Sequence, residues 1–340
     1  MVQLRDLLRS RGYDSDIYYG TATPDRLDYG FPISRLGERS AGDRVLLYQL
    51  SIGSGVADIF RSRNERKFVN YHNITPADLL EAWVPAVGEE VRWGRAQLRD
   101  LAPVTEFAIA DSVFNEHELQ AAGYRSTTTV PLLIDLDGFD GDPDPLVAAR
   151  FAAQKQDGGT DLLFVGKVSP HKGQHDLVKA LAAYRRLYDP NARLHLIGGA
   201  ISDEYRIAVE RFADELGLAD AVEIAGSVTH EELIAYYAAA DVFVCLSNHE
   251  GFCVPLLEAM YHELPIVAYT NTAVPETVEG AGLILPNKEP VRVAAAIDRV
   301  VRDSALRSVL ANAARQRVAR FALPRVQEGF VAALEGACAA

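Results

Sequence analysis

Asp241-Val-Phe-Val-Cys-Leu-Ser-Asn-His-Glu-Gly-Phe-Cys-Val-Pro-Leu-Leu-Glu-Ala-Met260 places a strand, a polar loop and a helix start in direct succession. The apolar run from Val242 to Leu246 reads as a buried strand, and a helix is expected from about Val254 to His262. Pro255 falls in its first turn, where the missing N–H has no partner to lose. The N–H groups of Phe252, Cys253 and Val254 are then expected to face whatever lies above the strand ends. A helix amino end with partial positive charge suits a diphosphate there. Glu250 lies in the loop and Glu258 in the helix. Eight residues of helix would span about 12 Å, so each carboxylate can address a different part of one extended ligand.

Strands and helices alternate on both sides of this stretch, the pattern of a doubly wound parallel sheet. Downstream come strands at Pro265 to Tyr269 and Ala281 to Leu285. Upstream lie strands at Asp161 to Gly166, Arg193 to Gly198 and Val222 to Ala225, with helices at Gln174 to Leu187, Asp203 to Leu216 and Glu231 to Ala239. Leu136 to Asp144 carries no periodicity and is rich in Asp, Gly and Pro, which marks a domain boundary. Before it, strands are expected at Asp16 to Tyr19, Arg44 to Leu50, Phe68 to His72, Phe107 to Asp111 and Thr127 to Leu133. The expected division is residues 1–140, 141–320 and a returning carboxyl-terminal helix over 321–340. Val291 to Arg320 reads as helical, and Pro324 precedes a last helix from Val326 to Ala337.

Other stretches carry candidate chemistry. Phe164-Val-Gly-Lys-Val-Ser-Pro-His-Lys-Gly173 holds Gly166, Lys167 and Lys172 between a strand and a helix, and neighbouring strand ends converge on one crevice. Ala225-Gly-Ser-Val228 follows another strand. In the amino half, His72 stands at a strand end, and Asp111-Ser-Val-Phe-Asn115 follows the end of another, a stretch also suited to packing and capping. Gly53-Ser-Gly55 could open a dinucleotide fingerprint, but Asp58 occupies the place of the third glycine. Asp135-Leu-Asp137 and Asp140-Gly-Asp142 have the form of a metal-binding acidic pair, yet read better as solvated linker.

The run from Glu250 to Glu258 resembles the E-x7-E motif of the family 4 retaining glycosyltransferases, the glycosyl transferases group 1. The resemblance implies the α/β GT-B architecture, two Rossmann-like domains facing a cleft, and transfer of a hexose from UDP or GDP to an acceptor with retention. By that likeness Glu250 contacts hydroxyls of the transferred sugar, Glu258 the nucleotide ribose, and Gly251, Phe252, Cys253 and Val254 the donor. Gly166, Lys167 and Lys172 match a phosphate-gripping pattern in which Arg is common at the Lys167 position. Gly226 and the backbone of Val228 match a loop bordering the nucleobase. His72 matches a histidine that faces the donor sugar, which makes Glu250, His72 and Lys172 the catalytic candidates. Ser51, Gly53, Ser54 and Asn73 fall on the acceptor side, with Gln49 where His is frequent. No metal and no cofactor beyond the donor are implied. Alternatives are a non-catalytic partner-dependent subunit and a nucleotide-sugar epimerase of the same fold.

Composition agrees with an ordinary globular chain: 340 residues, 49% hydrophobic and 24% charged. A net charge of −13 argues against nucleic acid as a partner, since that binding rewards dense Lys and Arg. No stretch approaches the roughly 20 apolar residues of a membrane span, and no signal peptide is read at the amino terminus, so a cytoplasmic protein is expected. Cys245, Cys253 and Cys338 show no metal-type spacing and are expected as free thiols. Arg61, Arg63, Arg66 and Lys67 read as a solvated helix end, with acceptor or lipid headgroup contact, and hence peripheral membrane association, as the alternative. The chain opens with the helix Val2 to Leu8, ended at Gly12, where the fold normally has a strand. The expectation is that about 15 to 30 residues at ~3.3 Å each precede Met1, or that a partner chain or second copy covers the open edge.

Overall fold

Runs rich in β-branched and aromatic residues become parallel strands in two separate sheets. The computed structural model describes residues 1–38 and 44–339. It divides into one unit of Met1–Ala77, Ala86–Ile134 and Phe321–Ala340, and another of Asp78–Pro85 and Asp135–Arg320.

The amino unit comprises α1 (Val2–Ser10), β1 (Tyr18–Tyr19), β2 (Phe31–Pro32), β3 (Val45–Leu50), α2 (Gly55–Ser62), β4 (Arg66–Tyr71), α3 (Pro85–Leu101), β5 (Phe107–Ala110), α4 (Val113–Ala121) and β6 (Thr127–Thr129). β1 and β2 form a separate two-residue pair, shorter than the strand expected from Asp16. The main sheet runs β3-β4-β5-β6, all parallel. Its register sets Leu50 beside Tyr71 and Tyr71 beside Ala110, so the residues just past these strand ends share one edge. β6 stops before the expected Leu133 because Pro131 has no N–H for a ladder. Among the described residues no strand pairs with the free edge of β3. Leu4 and Leu7 of α1 pack with Ile109, Val130 and with Val326, Phe330 and Val331 of the carboxyl-terminal helix Leu323–Ala339.

The carboxyl unit comprises α5 (Pro145–Gln156), β7 (Asp161–Val165), α6 (Gln174–Leu187), β8 (Arg193–Ile197), α7 (Asp203–Glu215), β9 (Val222–Gly226), α8 (His230–Ala239), β10 (Val242–Cys245), α9 (Val254–Tyr261), β11 (Ile266–Tyr269), α10 (Val274–Val278), β12 (Leu283–Leu285), α11 (Pro290–Arg302) and α12 (Ser304–Val318). Its six parallel strands lie in the order β12-β11-β10-β7-β8-β9. From β7 the chain winds outward through β8 and β9, then returns to β10 and winds the other way. The switch point falls between β7 and β10, and in such sheets ligands bind beyond the strand ends at that point.

The helical stretch expected over Val291 to Arg320 is two helices. Asp303 ends the first and caps the second, its Oδ1 accepting from the Leu306 N–H at 2.9 Å. α5 was not anticipated; Asp144 caps it through the N–H groups of Leu146 and Val147, with Pro145 in the first turn. The expected acidic linker is partly structured: Asp137–Asp140 forms a 3-10 turn, whose Phe139 packs edge-on to Tyr237 and His262. No helix among the described residues is long and apolar enough to cross a membrane.

Candidate active site

Two loops meet above the switch point of the carboxyl unit. The loop after β7 ends in Lys172 and Gly173; the loop after β10 carries His249, Glu250 and Gly251. Gly173 has φ +71, and a Cβ there would lie 2.5 Å from the Leu246 carbonyl, so glycine is what lets the first loop close against the end of β10. That approach brings Lys172 Nζ to 2.7 Å from Glu250 Oε2. Glu250 is 6% exposed. Burial opposes charge on Lys172, but the Glu250 carboxylate outweighs it and carries the ammonium above its ordinary value. Burial, with the nearby Lys172, His249 and Lys167, pushes His171 down to about 3, so that imidazole is neutral.

The backbone around Glu250 is pinned by residues that the linear reading did not single out. The Glu250 N–H donates to Thr272 Oγ1 at 2.8 Å, Asn271 Nδ2 donates to the Asn248 carbonyl, and Thr277 Oγ1 donates to the Phe252 carbonyl at 2.7 Å. Lys288 Nζ donates to Asn248 Oδ1 at 2.6 Å and to Asp176. Cys253 then enters α9 in the left-handed region, φ +71 and ψ +68, and no side chain caps that helix end. Val254 and Pro255 follow in the first turn, as expected. Glu258, half-buried, accepts from Tyr237 Oη at 2.7 Å, and burial raises its carboxyl above the ordinary range.

Gly166, φ +153, stands at the end of β7, and a Cβ on Gly198 would meet its carbonyl at 2.3 Å. Lys167 is exposed on the same loop. Gln174 clips this loop shut, donating to the Lys167 carbonyl at 2.9 Å and accepting from the Ser169 N–H at 3.3 Å. Gly226, φ +72, ends β9 and accepts from the Gly198 N–H at 2.8 Å; Val228 is half-buried just beyond.

In the amino unit His72 sits past β4 with Nδ1 2.8 Å from Asp111 Oδ2 and Nε2 2.6 Å from Gln49 Oε1. Burial raises the Asp111 carboxyl, opposed by its hydrogen bond with His72. Gln49, His72 and Asp111 thus form one row across β3, β4 and β5, and Asp111 orients the ring. The acceptor-side candidates divide. Ser51 is exposed. Gly53 is packed so closely on α3 that a Cβ would lie 2.6 Å from the Glu90 carbonyl. Ser54 caps α2 and exchanges two hydrogen bonds with Gln97 at 2.9 and 2.8 Å. Asn73, φ +73, turns its amide to Asn115 and Glu118 at 2.8 and 3.0 Å. Ser54 and Asn73 therefore spend their side chains on the unit itself. The basic cluster is partly internal too: Arg66 pairs with Glu106 at 2.7 Å and binds the Ala337 and Cys338 carbonyls, and Lys67 is buried.

Residues 148–317, half of the 340-residue chain, match the family described as Glycosyl transferases group 1. The chain belongs to that family. The matched span contains Lys167, Lys172, Glu250 and Glu258, whereas His72 lies outside it. The chain is 34% identical over 223 residues to a D-inositol 3-phosphate glycosyltransferase of Geodermatophilus obscurus, covering 63% of this chain and 48% of the relative. It is 30% identical over 233 residues to a GDP-mannose-dependent alpha-(1-6)-phosphatidylinositol monomannoside mannosyltransferase of Mycobacterium tuberculosis, with 64% and 59% covered. The chain thus spans about half the length of the curated relatives it matches. Sucrose-phosphate synthase of Thermosynechococcus elongatus superposes with a TM-score of 0.77 at 22% identity over 99% of this chain and 92% of that one. Anabaena HepE in complex with UDP and glucose superposes with a TM-score of 0.66 at 21% identity, over 80% and 72%. These likenesses show the fold, two parallel-sheet units of the GT-B class.

Proposed function

We propose that this member of the family transfers a hexosyl group from UDP or GDP to a hydroxyl of a glycan, lipid-linked or small-molecule acceptor, with retention and without a metal. The observation that carries this reading is the buried contact of Lys172 with Glu250 above the switch point of the carboxyl unit. The two adjoining loops bring together a cation, a carboxylate and an uncapped helix end, which is what a diphosphate joined to a hydroxyl-rich sugar requires. Lys172, Lys167 and the amino end of α9 take the diphosphate, Glu250 the sugar hydroxyls, and Glu258 the ribose. Gly226 and Val228 border the base, and His72 is the amino unit's group for the reacting sugar.

In the reaction the bond from the anomeric carbon to the diphosphate oxygen breaks and the acceptor oxygen bonds to the same face. The acceptor's proton passes to the departing phosphate oxygen. Lys167 and Lys172 stabilise the charge that grows on that leaving group, a preorganised electrostatic role. The relatives' names point to inositol-bearing acceptors for those proteins, but the family match lies over 148–317, the donor half, so the acceptor is not carried over with it. Reduced cysteines and a nucleotide-linked donor fit a cytoplasmic enzyme, and a lipid-linked acceptor would bring it to the inner membrane face.

The test is a thermal-shift panel of UDP, GDP and their hexose conjugates, followed by transfer assays with the stabilising donor. A ligand of the folded state raises the melting temperature by mass action. Stabilisation by a nucleoside diphosphate that vanishes in Glu258→Gln supports the reading; no response to any nucleotide overturns it.

A further inference from the structure

Glu250 has two neighbours whose thiols the transfer reaction does not use. Cys245, at the end of β10, is fully buried, and Cys253 is 7% exposed. Each sulfur and a Glu250 carboxylate oxygen lie within 4.8 Å of one another, the one grouping of this kind among the described residues. Linear spacing concealed it: eight positions separate the cysteines, and only the turn from strand to helix folds them together. Cys253 holds a left-handed backbone, which costs a non-glycine residue about 1–2 kcal/mol, so the surrounding structure holds this thiol where it is.

We infer that Cys245, Cys253 and Glu250 form a binding site for a thiophilic divalent cation such as Zn²⁺, and that its occupancy inhibits transfer by taking Glu250 from the donor sugar. The chemistry of the set matches. Zinc binds thiolate at about 2.3 Å and carboxylate oxygen at about 2.0–2.2 Å, so tetrahedral ligands stand about 3.5–3.8 Å apart, a short closure from the present grouping. Three protein ligands leave a fourth position for water or a phosphate oxygen. Two thiolates and one carboxylate balance the divalent cation together with the Lys172 ammonium, which lies 2.7 Å from Glu250. A neutral assembly matters because an uncompensated charge at this depth is costly. On binding, both thiols give up their protons to solvent, Glu250 binds through a carboxylate oxygen, and nothing is oxidised or reduced. The cation is an inhibitor here and not a cofactor of the reaction.

Inhibition rests on the proposed role of Glu250, whereas binding does not, and the experiment separates them. The reduced full chain is titrated with Zn²⁺ by equilibrium dialysis and with Cd²⁺ by thiolate charge-transfer absorption, beside Cys245→Ser, the Cys245→Ser/Cys253→Ser pair, Glu250→Gln and Cys338→Ser. One equivalent bound by the wild type and Cys338→Ser, with affinity at least tenfold weaker in the other three, supports the site. Transfer inhibited by Zn²⁺, restored by chelator, and resistant in Cys245→Ser supports the inhibition. Should a serine variant fail to fold, the wild type and Cys338→Ser decide instead: one equivalent of Cd²⁺ must give, in both, charge-transfer absorption sized for two thiolates. Undiminished binding in the folded cysteine variants, loss of binding in Cys338→Ser, or two thiols masked without metal and released only by reductant would each overturn the site. Binding as expected without any transfer activity would leave the site standing and remove the proposed function.

Discussion

Replacing Lys172 with Met keeps much of the side-chain volume and deletes the charge that Glu250 faces. The carboxylate, with 7% of its side chain exposed, then has no cation beside it. Breaking one half of a buried pair costs about 3–5 kcal/mol because the partner is left uncompensated. Lys172 keeps 20% of its own side chain exposed, so solvent already screens part of the pair, and the lower end, about 3 kcal/mol, is expected. For a domain the size of the carboxyl unit, that lowers its melting temperature by about 6–12 °C. The double variant Lys172→Met/Glu250→Gln removes both charges and should recover at least half of the loss, since the penalty belongs to the orphaned carboxylate.

The unit can be followed alone. Of the two tryptophans, Trp83 belongs to the carboxyl unit, with its ring edge-on to Tyr205 at 5.2 Å, and Trp93 to the amino unit. A Trp93→Phe background therefore makes tryptophan fluorescence a report on the carboxyl unit during thermal and urea unfolding. A shift under 2 °C in Lys172→Met, or a double variant no more stable than the single, would refute the claim that this contact is a buried, energetically coupled pair.

Glu250→Gln should abolish most turnover while leaving nucleoside diphosphate affinity within about threefold, whereas Glu258→Gln should weaken that affinity itself; calorimetric titration distinguishes them, and equal losses in both would undo the assignment. Lys172→Ala should lower the transfer rate by about 10²–10³-fold, read in a coupled diphosphate-release assay, and EDTA should leave the wild-type rate unchanged. Asp111→Asn should lower kcat at least tenfold at unchanged donor KM, and the same change in a His72→Ala background should cost little more, because Asp111 acts through the ring it orients. Stability of the carboxyl unit should peak between about pH 4.5 and 6.5. Hydrogen bonds from His195, Arg150 and Tyr236, against the cost of burial, hold Glu223 down at about 2, a contribution present above its ordinary value and lost as pH falls. Burial notwithstanding, Asp161 and Glu223 raise His195, a contribution present below its ordinary value and lost as pH rises through the folded one. Urea midpoints across pH should show both flanks, and His195→Gln should flatten the alkaline one.

What was legible in the sequence, and what was not, follows from the range of the interactions involved. α6 was expected at Gln174 to Leu187 and forms over those residues, because its apolar spacing and the glycine before it act within a few turns. The central strands β7, β10 and β11 were readable for the same reason: they are buried and need continuous apolar runs. Errors in the fold fall where a local signal was ambiguous. Asp303 is an ordinary surface residue in a helical pattern until its carboxylate is seen to cap the next helix, and Pro131 shortens β6 without altering the apolar pattern. The site is harder to read, because its contacts span the sheet order. Glu250 and Lys172 could each be named from a motif, yet they are 78 positions apart, and only the placement of β10 beside β7 makes them partners. Thr272, Lys288 and Tyr237 had no motif at all; each acts through hydrogen bonds to residues distant in the sequence, and such a bond leaves no periodicity behind. Asp111 shows the same limit from the other side, since its sequence neighbours suggest packing or capping while its carboxylate faces the His72 ring. Sequence motifs therefore locate groups that carry their chemistry in their own loop, and the residues that aim those groups emerge only once the strands are ordered.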